Sequence, residues 1–166
     1  MANPAPTHAF NRRGLMTLGA KQLSHACRTK KGLWLLFADV DGMKWINDTL
    51  GHETGDKALI EFTEVPTRTL RQSDIVARIG GDEFAALTLD ATGDGVEAIV
   101  RRLHGNVDAR NAQPGRAYLL SFSLGAAYFN PEKPCSLEDL LGEADRKMYE
   151  QKRGRQASGF VVRPLT

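Results

Sequence analysis

Apolar residues fall at helical spacing in four stretches of the chain, and each stretch predicts an amphipathic helix with one face in a core. The first helix is expected over residues 11–29 and the third over residues 96–107. The fourth is expected to follow Ser136, whose hydroxyl is suited to cap it, and to end at Gly154. The apolar positions that define the four faces are Leu15, Leu18, Leu23, Ala26, Leu59, Phe62, Leu70, Val96, Ile99, Val100, Leu103, Val107, Leu137, Leu140, Leu141, Ala144 and Met148.

The second helix carries two local signals. It is expected to open at Asp56, a residue type that caps helix N-termini, after a loop at residues 51–55 and a short helical turn at residues 44–47. Pro66 lies inside its apolar pattern. Because a proline in a helix interior costs about 3 kcal/mol, we expect a kink or a break over residues 63–66.

Other apolar runs predict strands. Residues 33–40 form a nearly continuous apolar run, which is typical of a strand buried on both faces. Two shorter runs flank Gly80 and Gly81 and predict a β-hairpin, in which the glycines would adopt the positive φ of a tight turn and let a ligand approach the backbone. We also expect strands over residues 118–129 and 160–162, and turns at residues 92–95 and 114–115.

Along the chain, the predicted helices and strands follow one another without strict alternation. This predicts an α+β fold with a central, mostly antiparallel sheet covered by helices. The chain has 166 residues, 42% of them apolar, and this suits one domain with one core. Its net charge of +2 lacks the basic excess of nucleic-acid binders, so nucleic acid is not an expected partner.

Cysteine usage and hydropathy concern the compartment. Cys27 and Cys135 are far apart and lack the spacing of zinc ligands, which favours reduced thiols in the cytoplasm. The sequence contains no run of about 18 apolar residues, so no membrane segment is expected in this chain.

Acidic residues follow two of the predicted strands. Asp39 ends the run at residues 33–40, and Asp82 and Glu83 come directly after the glycine pair. If these strands are neighbours, three carboxylates converge at one edge of the sheet, and such a cluster favours a hard cation such as Mg²⁺ or Mn²⁺. Taken alone, Asp39 with Asp41 is also typical of a strand-end turn, and Gly-Gly-Asp of a solvated acidic turn.

The run Gly80-Gly81-Asp82-Glu83-Phe84 resembles the signature of the GGDEF family, whose members that are similar to this chain are diguanylate cyclases. The resemblance covers residues 11–155 and implies a ferredoxin-like palm related to the class III nucleotide cyclases. Residues 10–14 resemble the entry motif of the family, while residues 7–10 depart from it. We therefore divide the chain into a poorly defined segment, residues 1–10, and one GGDEF domain, residues 11–166.

The resemblance also implies site residues. Two Mg²⁺ or Mn²⁺ ions per active site would bind Asp39, the carbonyl of Val40, Asp82 and Glu83, and the last two would also activate the attacking hydroxyl. The remaining implied contacts of the substrate GTP are the phosphate ligands Lys44, Lys152 and Arg155, the guanine ligands Asn47 and Asp56, and the turn glycines Gly80 and Gly81.

The implied reaction joins two GTP molecules into cyclic di-GMP and releases two pyrophosphates, which requires a homodimer because one domain holds one GTP. Arg71 and Asp74 match the inhibitory product site of the family, although R-x-x-D is equally typical of a solvated helix end. Members often carry sensory or membrane segments upstream, so we expect residues 1–6 to be the remnant of a cut in a longer, regulated protein. The alternative is a binding module that holds GTP or cyclic di-GMP without turnover.

Overall fold

The computed structural model describes residues 9–89 and 95–157. In this part of the chain, five strands and five helices follow one another as β1 (Phe10–Asn11), α1 (Arg12–Thr29), β2 (Leu33–Val40), α2 (Met43–Leu50), α3 (His52–Thr69), β3 (Ile75–Arg78), β4 (Glu83–Thr88), α4 (Gly95–Asn111), β5 (Phe122–Phe129) and α5 (Leu137–Ala157).

The strands form one sheet in the order β1-β3-β4-β2-β5. β2 pairs antiparallel with both β4 and β5, and β3 pairs antiparallel with β4. The two-residue strand β1 adds a parallel pairing to β3 at the edge. The predicted α+β architecture with a mostly antiparallel sheet is confirmed.

Helices cover both faces of the sheet. Leu36, Ala38 and Val40 of β2 pack into a core with α2, α3 and α4, whereas Leu35 and Phe37 pack into a second core with α1 and α5. Residues of a strand alternate between its faces, so a strand buried on both sides carries a continuous apolar run. The prediction for residues 33–40 is confirmed, and the same alternation places residue 39 on the face of α1 and α5.

Both predicted limits of the last helix can be compared with the structure. The Ser136 hydroxyl accepts a hydrogen bond of 3.0 Å from the Asp139 amide, which confirms the cap. The predicted end at Gly154 is wrong, because α5 continues to Ala157. A glycine costs a helix only about 1 kcal/mol, and Arg155 beyond it bonds to the Phe122 carbonyl of β5.

The turn between β3 and β4 differs from the predicted tight hairpin. It spans four residues, and neither Gly80 nor Gly81 is among the glycines with positive φ. The Arg78 guanidinium closes it instead, donating to the Gly80 carbonyl and, over 2.7 Å, to the Gly81 carbonyl. The expectation of positive φ at the glycine pair was therefore wrong, because a longer loop held by a side chain does not need it.

The start of α3 was also wrongly predicted. The helix begins at His52, so residues 51–55 are not a loop and Asp56 is not the N-cap. Gly51 is both the C-cap of α2 and the N-cap of α3, with φ of 91°. This positive φ lets a single residue connect the two helices, and glycine adopts it without a steric cost.

Pro66 does not break α3, which runs on to Thr69. The proline lies in the last turn of the helix, and the Leu70 amide still donates to its carbonyl over 2.9 Å. The proline has no amide hydrogen to donate to the Phe62 carbonyl, and the helix nevertheless continues for three further residues. The expected break over residues 63–66 is absent.

β5 begins at Phe122, four residues later than predicted. The Asn111 side chain bonds to both the amide and the carbonyl of Leu120, each over 2.8 Å, and so replaces a neighbouring strand there. The turn at residues 114–115 is confirmed, with Gly115 at φ of 78°. The predictions for residues 1–6 and 160–162 lie outside the described residues. So do residues 92–94 of the turn predicted at 92–95, whose last residue, Gly95, begins α4.

Candidate active site

The three predicted carboxylates lie at one end of the sheet. Asp39 is the register partner of Glu83 across the β2–β4 pair, so both side chains are on the face of α1 and α5. Asp82 directly precedes β4, and its carbonyl accepts a hydrogen bond of 3.0 Å from the Val40 amide. The expected juxtaposition of the two strands is therefore present.

Burial and repulsion by neighbouring acids change the acidity of Asp39 and Glu83. Burial raises the pKa of Asp39 to about 6, with a further contribution from Asp82 and partial compensation by Lys152. The pKa of Glu83 is also raised, first by burial and then by the charges of Asp145 and Asp82. Asp39 and Glu83 thus lie where a negative charge is disfavoured, and a cation at this end of the sheet would relieve that cost.

Lys152 of α5 reaches this cluster. Its ammonium contacts Asp39 Oδ2 at 2.9 Å, and although burial lowers the lysine pKa, the bond to Asp39 and the neighbouring charges raise it overall. Asp39 Oδ1 is buried without a hydrogen-bond partner. An unpaired buried carboxylate oxygen is costly, so this donor suits a metal ion.

No three-ligand metal site is preformed within the part of the chain that the structure describes. Among the described residues, no group of three or more His, Cys, Asp and Glu side chains has the geometry to hold an ion. The oxygen donors of Asp39, Asp82 and Glu83 nevertheless match the preference of Mg²⁺ and Mn²⁺. Metal binding by these residues and by the Val40 carbonyl stays a prediction.

Asp41 forms a hydrogen-bonded hub that the sequence did not reveal. The residue is 7% exposed. Its carboxylate accepts bonds of 2.9 Å from each of the Ser121 and Ser123 hydroxyls and from Arg155 Nη1. The end of β2 is thereby fixed to β5 and to α5. The i, i+2 spacing of the two serines places them on one side of the extended chain. Their partner Asp41 lies about 80 residues away in the sequence, so the spacing alone does not indicate the contact.

Arg155 takes part in this hub, which differs from the predicted phosphate contact. Its guanidinium also donates to the Phe122 carbonyl. Both predicted phosphate cations of α5 therefore contact carboxylates in this structure.

The predicted guanine ligands lie on the two neighbouring helices α2 and α3. Asn47 Oδ1 lies so close to Gly55 of α3 that a Cβ there would be 1.8 Å away. Asp56 is the next residue of α3, and its side chain is exposed. Lys44, also exposed, is in the first turn of α2.

Arg71 and Asp74 lie at the opposite end of the β3–β4 hairpin from the glycine turn. Both oxygens of Asp74 accept backbone bonds of 2.9 Å, one from the Arg71 amide and one from the Leu89 amide. Asp74 thus has a structural role, as the solvated-turn interpretation expects, while the Arg71 side chain is exposed.

These features can be compared with known proteins. A family model described as diguanylate cyclase, GGDEF domain, matches residues 5–158. The chain belongs to the GGDEF family. This GGDEF domain is 38% identical to the diguanylate cyclase DosC of Escherichia coli over 149 residues, or 89% of the chain. It spans about a third of the length of that relative, of which 32% is covered.

Other similar proteins differ in their described activity. A 38% identical region, covering 84% of this chain and 18% of the relative, belongs to the cyclic di-GMP phosphodiesterase NbdA of Pseudomonas aeruginosa. The solved GGDEF domain of TpbB from the same species superimposes with a TM-score of 0.81 at 34% identity, covering 90% of this chain and 87% of that one. Two similar structures of DgcB from Caulobacter crescentus are complexes with c-di-GMP.

Two remaining predictions concern the cysteines and the membrane. Cys27 and Cys135 are both free thiols. Within residues 9–89 and 95–157, none of the helices combines the length and the apolar character that a membrane span needs.

Proposed function

We propose that this GGDEF domain is a diguanylate cyclase, in which two copies meet and condense two GTP into cyclic di-GMP. In each of two steps, the 3′-oxygen of one GTP forms a bond to the α-phosphorus of the other. The bond from that phosphorus to the bridging oxygen of the β-phosphate breaks, pyrophosphate leaves, and the hydroxyl loses its proton. The observation that carries the proposal is the pairing of Asp39 with Glu83 beside Asp82, in a chain with the family signature.

The residues have distinct roles in this proposal. Asp39, Asp82, Glu83 and the Val40 carbonyl would hold Mg²⁺ or Mn²⁺, which lowers the pKa of the attacking hydroxyl and neutralises phosphate charge. Glu83, whose pKa is raised by burial and by neighbouring acids, is suited to take up the hydroxyl proton.

A titration of enzyme concentration tests the proposal. With GTP and Mg²⁺, pyrophosphate release is expected to rise faster than linearly with protein, because two domains must associate to form one active unit. Pyrophosphate and cyclic di-GMP are quantified together, in a molar ratio expected to be two to one. Product formation in excess chelator would contradict the metal requirement, and strict proportionality to protein would contradict association during the assay.

Base selectivity is expected to depend on Asp56. Its carboxylate can accept from the N1–H and N2–H₂ groups of guanine, whereas adenine offers an acceptor at N1 and no amine at C2. Asp56→Ala should therefore reduce the preference for GTP over ATP by about tenfold or more, the loss of a charged hydrogen bond, while pyrophosphate binding is unchanged. Calorimetry with the three ligands measures this, with exposed Asp48→Ala on α2 as the matched control. Equal binding of GTP and ATP to the unmutated domain would exclude Asn47 and Asp56 as guanine contacts.

Product inhibition at Arg71 and Asp74 can be tested without disturbing the turn. Arg71→Ala removes a guanidinium able to grip a phosphate or the O6/N7 edge of guanine, but leaves the Arg71 amide that Asp74 binds. We expect about tenfold or greater loss of cyclic di-GMP affinity in calorimetry. The neighbouring exposed Gln72→Ala serves as control. Equal affinity in Arg71→Ala and Gln72→Ala would remove this site and leave the catalytic assignment unaffected.

A second candidate function is a GTP-binding or cyclic di-GMP-binding module without turnover. It is supported by the contacts of Lys152 and Arg155 with Asp39 and Asp41, which engage both predicted phosphate ligands of α5. The similarity to NbdA, named for a phosphodiesterase activity, agrees with it. Saturable GTP binding with no pyrophosphate release at any protein concentration would favour the module over the cyclase.

A further inference from the structure

The free edge of β5 is covered by side chains of α5. Among the strands of residues 9–89 and 95–157, β5 is the last in the sheet, so every second residue directs its amide and carbonyl away from β2. Three of these residues bond to α5 side chains instead of to another strand. The three bonds join Lys147 Nζ to the Ala126 carbonyl at 3.2 Å, the Leu124 amide to Gln151 Oε1 at 2.8 Å, and Arg155 Nη1 to the Phe122 carbonyl.

The three bonds form a ladder between α5 and β5, because the repeat distance of the helix nearly matches that of the strand. The helix residues are four apart, which corresponds to a rise of about 6 Å, and the strand residues are two apart, or about 6.6 Å. Helix and strand run in opposite directions, since residue 147 bonds to residue 126 and residue 155 to residue 122. The chain can therefore keep three successive bonds in register, and any axial slip of α5 would break all three.

Gly125 lets the helix lie close enough for the ladder. A Cβ at this position would be 2.0 Å from the Ala144 carbonyl oxygen and 2.4 Å from the Met148 amide nitrogen. Backbone atoms cannot yield as a flexible side chain does, so the close contact of α5 with β5 requires a glycine here.

Gln151 makes the middle of the three bonds, close to the candidate active site. Leu124 follows Ser123, which is the register partner of Asp39 on β2. Lys152 follows Gln151 and contacts Asp39. Lys147 also pairs with Glu143 and Arg155 with Asp41, so these two side chains have a second reason for their placement. Gln151 is exposed overall, and its amide oxygen accepts from the Leu124 amide.

We propose that Gln151 is a positioning residue, which fixes the register of α5 on β5 so that Lys152 reaches the Asp39 carboxylate and, when GTP is bound, its phosphates. The last clause rests on the proposed function. The register of α5 on β5 does not depend on that function and can be measured in the nucleotide-free domain.

Three single variants separate this role from general destabilisation. Gln151→Leu removes the hydrogen-bond acceptor with little change in side-chain size. Gln151→Glu retains an acceptor and should therefore keep the bond to the Leu124 amide. Glu150→Leu places the same leucine on the same turn of α5, where Glu150 forms an exposed pair with Arg146. Hydrogen exchange followed by NMR is expected to show the Leu124 amide exchanging about tenfold faster in Gln151→Leu, as the loss of one hydrogen bond implies. In Gln151→Glu and Glu150→Leu, the Leu124 amide should exchange at the rate of the unmutated domain. Equal Leu124 exchange in Gln151→Leu and Glu150→Leu would overturn the ladder.

Two further measurements test the link to Lys152. The ammonium NMR signal of Lys152 in the nucleotide-free domain is expected to shift in Gln151→Leu and not in Gln151→Glu or Glu150→Leu. The affinity for GTP with Ca²⁺, measured by calorimetry, is expected to fall several-fold in Gln151→Leu alone. An unchanged ammonium signal despite faster Leu124 exchange would overturn the positioning role. A shifted signal in a domain that binds no GTP would support the positioning role and contradict the proposed function.

Discussion

Glu83→Gln is expected to lower the rate of cyclic di-GMP formation on the order of a thousandfold, the usual contribution of a positioned general base. Glutamine keeps the shape of glutamate but can neither take up a proton nor offer a charged oxygen to a metal. The rate is measured as pyrophosphate release under saturating GTP and Mg²⁺, with Glu97→Gln, an exposed residue of α4, as the matched control.

The same substitution is expected to leave the melting temperature unchanged or slightly higher. The pKa of Glu83 is raised in the folded domain, so the fold disfavours its charged form, and a neutral side chain removes repulsion from Asp145 and Asp82. A melting temperature that falls together with activity would indicate a structural role. Full activity in Glu83→Gln would exclude Glu83 as the group that accepts the proton.

Asp41→Ala is expected to destabilise the domain more than any other single change proposed here. Removing the buried carboxylate leaves the Ser121 and Ser123 hydroxyls and the Arg155 guanidinium without this acceptor. Loss of one partner of a buried ion pair costs about 3 kcal/mol, and for a domain of this size that lowers the melting temperature by roughly 6–12 °C.

Calorimetric melting of Asp41→Ala beside Asp48→Ala measures this effect. Asp48 is exposed on α2, so its replacement should change the free energy of unfolding by less than about 0.5 kcal/mol. Urea denaturation provides the same comparison at 25 °C. Equal melting temperatures in the two variants would contradict the hub as a source of stability.

Periodicity and residue type were sufficient to predict much of the fold from the sequence. The continuous apolar run at residues 33–40 can be satisfied only by an element buried on both sides, and it forms β2. Ser136 caps a helix wherever apolar residues follow at helical spacing, because the cap uses atoms three residues apart. The family signature located Asp82 and Glu83 after β3, and the register of β2 with β4 brought Glu83 beside Asp39 as expected.

Where local signals failed, a contact distant in the sequence or a competing local geometry had decided the outcome. Asp56 has the chemistry of an N-cap, but Gly51, five residues earlier, is the N-cap, and α3 starts at His52. Gly154 is a helix terminator by type, but the bond of Arg155 to β5 keeps α5 helical beyond it. Helix-ending propensities amount to about 1 kcal/mol, and tertiary contacts of this kind readily exceed that.

The sequence by itself thus determined which strands are buried, where the acidic turn lies and to which family the domain belongs, since these depend on spacing along the chain. Only the tertiary structure decided the partners of Asp41, the bond of Gln151 to β5 and the pairing of Lys152 with Asp39. Those contacts join residues from 27 to 114 positions apart. Their existence depends on helix register and on sheet order, because a hydrogen bond forms or fails within about 1 Å, a precision that no pattern of residue types encodes.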